Sequence, residues 1–250
     1  MSPPPELLRA RLGAWGHDDA QPLVLALSAG ADSMALLASA AAGPWPLYTV
    51  HLDHALRPGS AHEAAWVARR VAAVGRSRAA PIVHLQRRYA IARLARVRGW
   101  GLEEAGRRAR YDLLVRTARL RGAPLVLVAH HADDQAETVL ANLLRGAYGP
   151  GAAAMPQRRA LAPGVTLARP FLALPRAQLR SWLASTGGSW IEDPSNRDQR
   201  FTRNRIRHRV LPQLEAGVPG FTAELARRAS AQQPHEAAAR AAAARRVAAW

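Results

Sequence analysis

The 250-residue chain carries a formal net charge of +17, contains no cysteine, and draws all of its non-histidine positive charge from arginine, because lysine is absent. Without thiols it has no disulfide, no Cys-ligated zinc or iron–sulfur cluster and no cysteine nucleophile; without lysine it has neither a P-loop lysine nor a Schiff-base lysine. The length suffices for one catalytic domain plus a small appendage, the charge calls for a polyanionic partner with nucleic acid ahead of an anionic membrane surface, and no apolar run nears the roughly 20 residues of a bilayer span, so a cytoplasmic protein is expected.

In chain order, a first helix follows the prolines at 3–5 and runs to about Gly16, packing on the outside. The apolar run Leu23–Leu27 then predicts a strand, the small and polar residues Ser28–Ser33 a tight loop, and Met34–Leu37 the apolar side of a helix that stops at Gly43-Pro44. Small residues let a backbone approach a ligand, and the free N–H groups at a helix start favour phosphate. The same residues also fit an ordinary βα turn with Asp32 or Ser33 as N-cap.

A second strand, Leu47–Leu52, delivers Asp53, His54 and Arg57 to its C-terminal end, where α/β folds bind ligands. Ala61–Val74 reads as an amphipathic helix and Pro81–Leu85 as a short third strand. The Arg-rich segment Gln86–Gly101 has no firm placement beyond a helix over Tyr89–Val97. Leu102–Leu120 predicts a long helix on which Glu103, Arg107 and Arg110 share one face and Glu104, Arg108 and Tyr111 another.

Pro124–Ala129 predicts a strand buried on both faces, running into His130-His131-Ala132-Asp133-Asp134-Gln135-Ala136-Glu137-Thr138. This cluster lacks the spacing of the His-Glu-x-x-His zinc motif. Asp134 with Glu137 also fits an N-cap and its capping-box partner, and carboxylates at a strand end suit magnesium held jointly with substrate phosphates. A glycine-rich loop, Arg145–Ala152, follows. Thr166–Leu172 is extended, with Pro170 expected to bar a central place in a sheet; Arg176–Ser185 is helical. A third polar cluster, Trp190–Asp198, leads into Phe201–Arg209, where an aromatic residue among dense arginines suits RNA contacts. The Ala- and Arg-rich remainder from Glu215 reads as helical.

Strand–helix alternation with polar clusters at the strand ends predicts a doubly wound, mostly parallel α/β sheet with a helical C-terminal extension, divided into a catalytic domain over 1–212 and a tail over 213–250. Ser28–Ser33 resembles the Ser-Gly-Gly-x-Asp-Ser pyrophosphate loop of the N-type ATP pyrophosphatases. Four later segments narrow the resemblance to the tRNA(Ile)-lysidine synthase family. Leu52-Asp53-His54-Ala55-Leu56-Arg57 resembles its Val-Asp-His-Gly-Leu-Arg, and Glu104-Ala105-Gly106-Arg107 with Arg110-Tyr111 its Glu-Ala-Ala-Arg-x-x-Arg-Tyr. Ala129–Thr138 and Asp193-Pro194-Ser195-Asn196 with Arg203–Arg207 resemble its remaining motifs.

The resemblance implies a ligase that spends ATP to adenylate C2 of the wobble cytidine in tRNA(Ile) with a CAU anticodon. Free L-lysine then attaches, releasing AMP. It implies ATP and Mg2+ as cofactors, no membrane, and leaves a homodimer open. Ser28, Ala29, Gly30, Ala31, Asp32, Ser33, Asp53 and His54 would hold ATP, with Asp32 near Mg2+. Arg107 and Arg110 would take the carboxylate of lysine, and Asp134 and Glu137 its ammonium. Asp32, His131, Asp134 and Glu137 form the implied catalytic set, and Arg145, Arg197, Arg203, Asn204, Arg205 and Arg207 the tRNA contacts. Relatives that transfer sulfur to tRNA generally need cysteines, which this chain lacks. Rival readings are a catalytically impaired tRNA-binding paralogue and an amide synthetase acting on a non-RNA substrate. Two departures stand out. Ala29 occupies a family glycine position, with strain expected if positive φ is needed there. The chain also ends soon after the catalytic motifs, from which weaker tRNA selection is expected.

Overall fold

The computed structural model describes residues 2–147, 154–193, 198–199, 201–229 and 231. Arg197, Tyr148–Ala152 of the glycine-rich loop, Pro194–Asn196 of the last motif and most of the expected tail lie outside the described residues. The chain divides into two compact units that alternate along the sequence: Met1–Ala129, Arg158–Phe171 and Ala177–Asp193 in the first, His130–Gln157, Leu172–Arg176 and Pro194–Trp250 in the second.

The first unit holds the sheet. Its strands are β1 (Leu23–Leu27), β2 (Leu47–Asp53), β3 (Ile82–Arg88), β4 (Leu125–Leu127), β5 (Arg158–Ala162) and β6 (Val165–Ala168), in the spatial order β3-β2-β1-β4-β6-β5. The two most uniformly apolar runs, β1 and β4, take the middle, where both faces are covered and a polar side chain would be costly. All neighbouring pairs are parallel except β5–β6. The doubly wound α/β expectation thus holds, and the carboxyl ends of five strands share one edge. The β5–β6 hairpin escaped the sequence reading, because β5 (Arg158-Arg159-Ala160-Leu161-Ala162) opens on two arginines and shows neither an unbroken apolar run nor strict apolar–polar alternation; Gly164, at φ 74°, makes its turn. Pro170 does not keep this segment from the sheet interior. β6 lies between β4 and β5 but ends at Ala168, so no ladder N–H is lost to the proline.

Helices α1 (Pro4–Ala14), α2 (Ala31–Ala41), α3 (Ser60–Gly75), α4 (Ile91–Arg98) and α5 (Leu102–Arg121) flank the sheet. Ile91, Ala95, Ala105, Leu113 and Leu114 of α4 and α5 pack with Val24, Val50 and Val126 into one core. Both α4 and α5 end at a left-handed glycine, Gly99 and Gly122 respectively.

The second unit contains α6 (Ala132–Leu143), α8 (Thr202–Arg205), a π-helical turn (Ile206–Val210) and α9 (Leu211–Gly217); α7 (Arg176–Ser185) begins in it and continues in the first unit. Ala136, Ile206 and Leu211 form its small core. No helix among the described residues is long and apolar enough to cross a membrane.

Candidate active site

The loop between β1 and α2 is shaped by serine. Ser33 Oγ accepts from the Ser28 N–H (3.1 Å) and donates to the Ser28 carbonyl (2.7 Å), while the Gly30 N–H donates to Ser28 Oγ (3.3 Å). Neither Asp32 nor Ser33 is the N-cap. Gly30 takes that place with extended backbone (φ −74°, ψ 156°), and no side chain caps α2. An uncapped N-terminus at the carboxyl edge of a parallel sheet is suited to receiving an anion. Gly30 itself is not demanded by the fold, since an added Cβ would meet only Ser28 Oγ at 3.5 Å.

The strain expected at Ala29 falls elsewhere. Among the described residues the non-glycine residue with positive φ is Ala55 (51°), and Ala29 is a buried residue whose carbonyl accepts from Ile191 N–H at 2.8 Å. Ala55 also stands at a glycine position of the resembled family. Asp53 Oδ1 holds the Ala55 N–H (2.8 Å), and Arg88 Nε lies 3.4 Å from Asp53 Oδ2, so this buried carboxylate is engaged within the chain. His54 packs against α5, where a Cβ on Gly106 would come within 2.9 Å of its ring. Burial, reinforced by Arg110 and His51, pushes its pKa down to about 4 despite Asp53, so His54 is neutral near pH 7. Arg57 bonds both oxygens of Glu63 (2.6 and 2.7 Å) and reaches Asp193 at 2.9 Å. On α5, Arg107 lies 5.8 Å and Arg159 5.0 Å from the Tyr111 ring centre.

In the second unit the acidic cluster is already ion-paired. His131, not Asp134, is the N-cap of α6: its Nδ1 accepts from the Asp134 N–H (3.3 Å), and Asp134 Oδ2 accepts from the His131 N–H (3.0 Å). Asp134 is therefore the far partner of the capping box, and Glu137, one turn on, lies outside it. Arg203 spans the two carboxylates, with Nη2 on Asp134 Oδ1 (2.6 Å) and Nε on Glu137 Oε2 (2.7 Å). Arg207 does likewise, with Nε on Glu137 Oε1 (2.5 Å) and Nη2 near Glu137 Oε2 (2.9 Å) and Asp134 Oδ1 (3.3 Å). The i,i+4 spacing puts both arginines on one side, although the π-helical turn begins between them.

Burial pushes the Asp134 carboxyl up, but the charges of His131, Arg203 and His130 and the His131 N–H outweigh it and hold the pKa at about 2. Asp133 is also lowered: burial opposes, while His131 and the Arg176 N–H (2.9 Å from Asp133 Oδ2) prevail. The raised pKa of Arg207 comes from Glu137 and Asp134 overcoming its burial. One side of this cluster opens into a cavity of about 210 Å³ lined by Asp133, Glu137, Arg176, Arg207 and Glu215 over Leu211 and Pro212.

Apart from Arg107 and Arg110, which lie on α5 of the first unit, and the remaining tRNA contacts, the expected residues collect in two places. Ser28–Ser33, Asp53 and His54 meet at the carboxyl edge of the sheet, while His131, Asp134, Glu137, Arg203 and Arg207 form one cluster in the second unit. Arg145 bonds Ala141 O and Asn142 Oδ1 just beyond α6, Asn204 donates to Asp198 O, and Arg205 to Thr202 Oγ1; none of these bonds involves the carboxylate cluster. Arg176 and Glu215 were not anticipated, since neither belongs to a motif and only folding brings them beside Glu137.

The sequence profile of the PP-loop domain matches residues 7–214. The chain is 43% identical over 244 residues to the tRNA(Ile)-lysidine synthase of Methylobacterium sp., covering 96% of this chain and 67% of that protein. With the synthase of Deinococcus deserti it shares 42% over 217 residues, 86% of this chain and 38% of the other, and with that of Polaromonas naphthalenivorans 41%, over 86% and 63%. The chain accordingly spans less than two thirds of the last two relatives. Among solved structures, the U34-tRNA thiolase NcsA of Methanococcus maripaludis superposes with a TM-score of 0.71 at 14% identity, covering 90% of this chain and 77% of that one. The NMN synthetase of Francisella tularensis gives 0.54, also at 14%, over 94% and 96%; both likenesses concern the fold alone. On these grounds the chain belongs to the PP-loop domain family and, within it, to the tRNA(Ile)-lysidine synthase family.

Proposed function

We propose that the protein is an ATP-dependent ligase that converts the wobble cytidine of tRNA(Ile) with a CAU anticodon to lysidine. In the first step the cytidine O2 attacks the α-phosphorus of ATP; an O–P bond forms and pyrophosphate leaves. In the second the ε-amine of free lysine attacks C2, the C2–O bond breaks, AMP departs, and the amine loses its proton. Adenylation makes a poor leaving oxygen a good one, so the protein's work is positioning and charge neutralisation.

The observation that carries this reading is the uncapped N-terminus of α2, opened by Ser28–Ser33 at the edge where the strands end. Its N–H groups would take the pyrophosphate. No group of three or more His, Asp or Glu able to hold a metal occurs among the described residues. Mg2+ binds through one or two carboxylates and substrate phosphates, and Asp32 in the first turn of α2 would be such a carboxylate. The ion would draw charge from the phosphates.

Asp134 and Glu137 would receive the lysine ammonium. Asp134, held at about 2, is ionised throughout the neutral range and acts as a charge partner; a carboxylate so acidic takes up a proton too weakly to serve as a base near pH 7. The test is purified protein with ATP, labelled lysine and CAU-anticodon tRNA, following label in RNA and AMP in solution. Label in tRNA with matching AMP is expected. RNA binding without label would mark a catalytically impaired paralogue, and AMP formation indifferent to tRNA a non-RNA synthetase.

A further inference from the structure

The Arg-rich segment after β3 takes no part in this chemistry, yet it is built on the same edge of the sheet. Between Glu63 and Glu103 the sequence has nine arginines and neither Asp nor Glu. β3 runs parallel to β2 with Arg88 opposite Asp53, so Arg87 and Arg88 leave the sheet at the edge where β1 and β2 end, with β2 between them and the strand that leads into the Ser28–Ser33 loop. The backbone is fixed there: the Tyr89 N–H donates to Asp53 O (2.9 Å) and the Ile91 N–H to His54 O (3.3 Å).

From this anchor α4 buries Ile91 and Ala95 and turns Arg93, Arg96 and Arg98 to solvent. Among the described residues no ion pair joins Arg87, Arg93, Arg96 or Arg98 to a carboxylate. Trp100 follows, with Arg98 5.9 Å and Arg108 4.3 Å from its ring centre, so the indole helps orient Arg98 without neutralising it. Like charges gathered without counter-charge repel one another, and a bound polyanion relieves that repulsion. Guanidinium groups match phosphate in a two-pronged geometry. A bilayer surface fits less well, because the apolar side of α4 is spent in the core and cannot lie in lipid.

We infer that the exposed arginines of the β3–α4 segment bind the phosphate backbone of the RNA whose base enters the nucleotide site. This rests on the RNA substrate proposed above. It adds a phosphate-binding surface in the first unit to the arginines of the second, where Arg203 and Arg207 are already committed to carboxylates.

The test compares Arg93→Gln/Arg96→Gln/Arg98→Gln with a control, Arg9→Gln/Arg116→Gln/Arg119→Gln, which removes equal charge from exposed positions elsewhere on the same unit. Binding of a fluorescent CAU anticodon stem-loop is measured from roughly 50 to 300 mM salt. The α4 variant should bind about tenfold or more weakly at 100 mM salt, with the slope of log affinity against log salt shallower by about two, while the control changes less than about threefold. Equal losses in both variants, or none in the α4 variant, overturn the inference while leaving the RNA reading intact. No binding by the unaltered protein overturns both. Loss of binding to phosphatidylglycerol vesicles with RNA affinity retained assigns the surface to a membrane instead and overturns the inference. Should the triple variant lose its helical circular dichroism, Arg96→Glu alone carries the same comparison.

Discussion

Replacing Asp134 by Asn keeps the shape of a nearly buried side chain and removes its charge. The folded protein holds this carboxyl at about 2, against an ordinary value of 3.8. That difference stabilises the folded state by about 2 kcal/mol once the group is ionised. Deleting one partner of a buried pair costs roughly 3–5 kcal/mol when it strands a charge. Here Arg203 and Arg207 keep Glu137, and Arg203 is 44% exposed, so the lower figure governs. The folded pKa lies below the unfolded one, so this stabilisation is complete above about pH 5 and fades as pH falls from 3.8 through about 2. Urea unfolding of parent and variant at several pH values is the assay. A gap of about 2 kcal/mol at pH 7 that narrows below about pH 4 is expected. A gap under about 0.5 kcal/mol at pH 7, or one that widens on acidification, would refute the reading that His131, Arg203 and His130 hold this carboxyl in its charged form.

Under the proposed function the same substitution abolishes lysine transfer while tRNA affinity stays nearly unchanged; an unaffected transfer rate removes Asp134 from the site. Ala55→Gly relieves the left-handed strain at φ 51° against a smaller entropic loss, raising stability by about 0.5–1 kcal/mol, read as the urea midpoint. Because the folded pKa of His54 is depressed to about 4, its neutral form supports the fold above pH 6.5, and that support is lost as pH falls toward 4. An NMR titration giving His54 a midpoint near 6.5 would show it solvated rather than packed on Gly106. Ser33→Ala removes the hydroxyl that bonds the Ser28 N–H and carbonyl, so KM for ATP should rise about tenfold with tRNA affinity unaltered. An unchanged KM would dismiss Ser33 as the organiser of the loop.

Much of the architecture is local chemistry and could be read directly. Leu23–Leu27 and Leu125–Leu127 announce central strands because only a doubly covered strand accepts an unbroken apolar run, and Gly122 announces the end of α5 because left-handed backbone favours glycine. The turn Ser28–Ser33 is legible for the same reason: small residues between a strand and a helix leave N–H groups open. What the order of residues does not contain is which charge answers which. Arg203 and Arg207 read as surface arginines in a basic run, and their partners lie more than sixty positions earlier in sequence. Coulomb attraction depends on distance in space, and only the folded second unit sets that distance. Nor does sequence alone tell that Ala55 rather than Ala29 bears positive φ, or that His131 rather than Asp134 caps α6, since each is settled by how neighbouring backbone groups are satisfied. The sequence by itself therefore determined the central parallel strands and the serine-lined turn after β1; tertiary structure decided the β5–β6 hairpin and the pairing of the charges around Asp134 and Glu137.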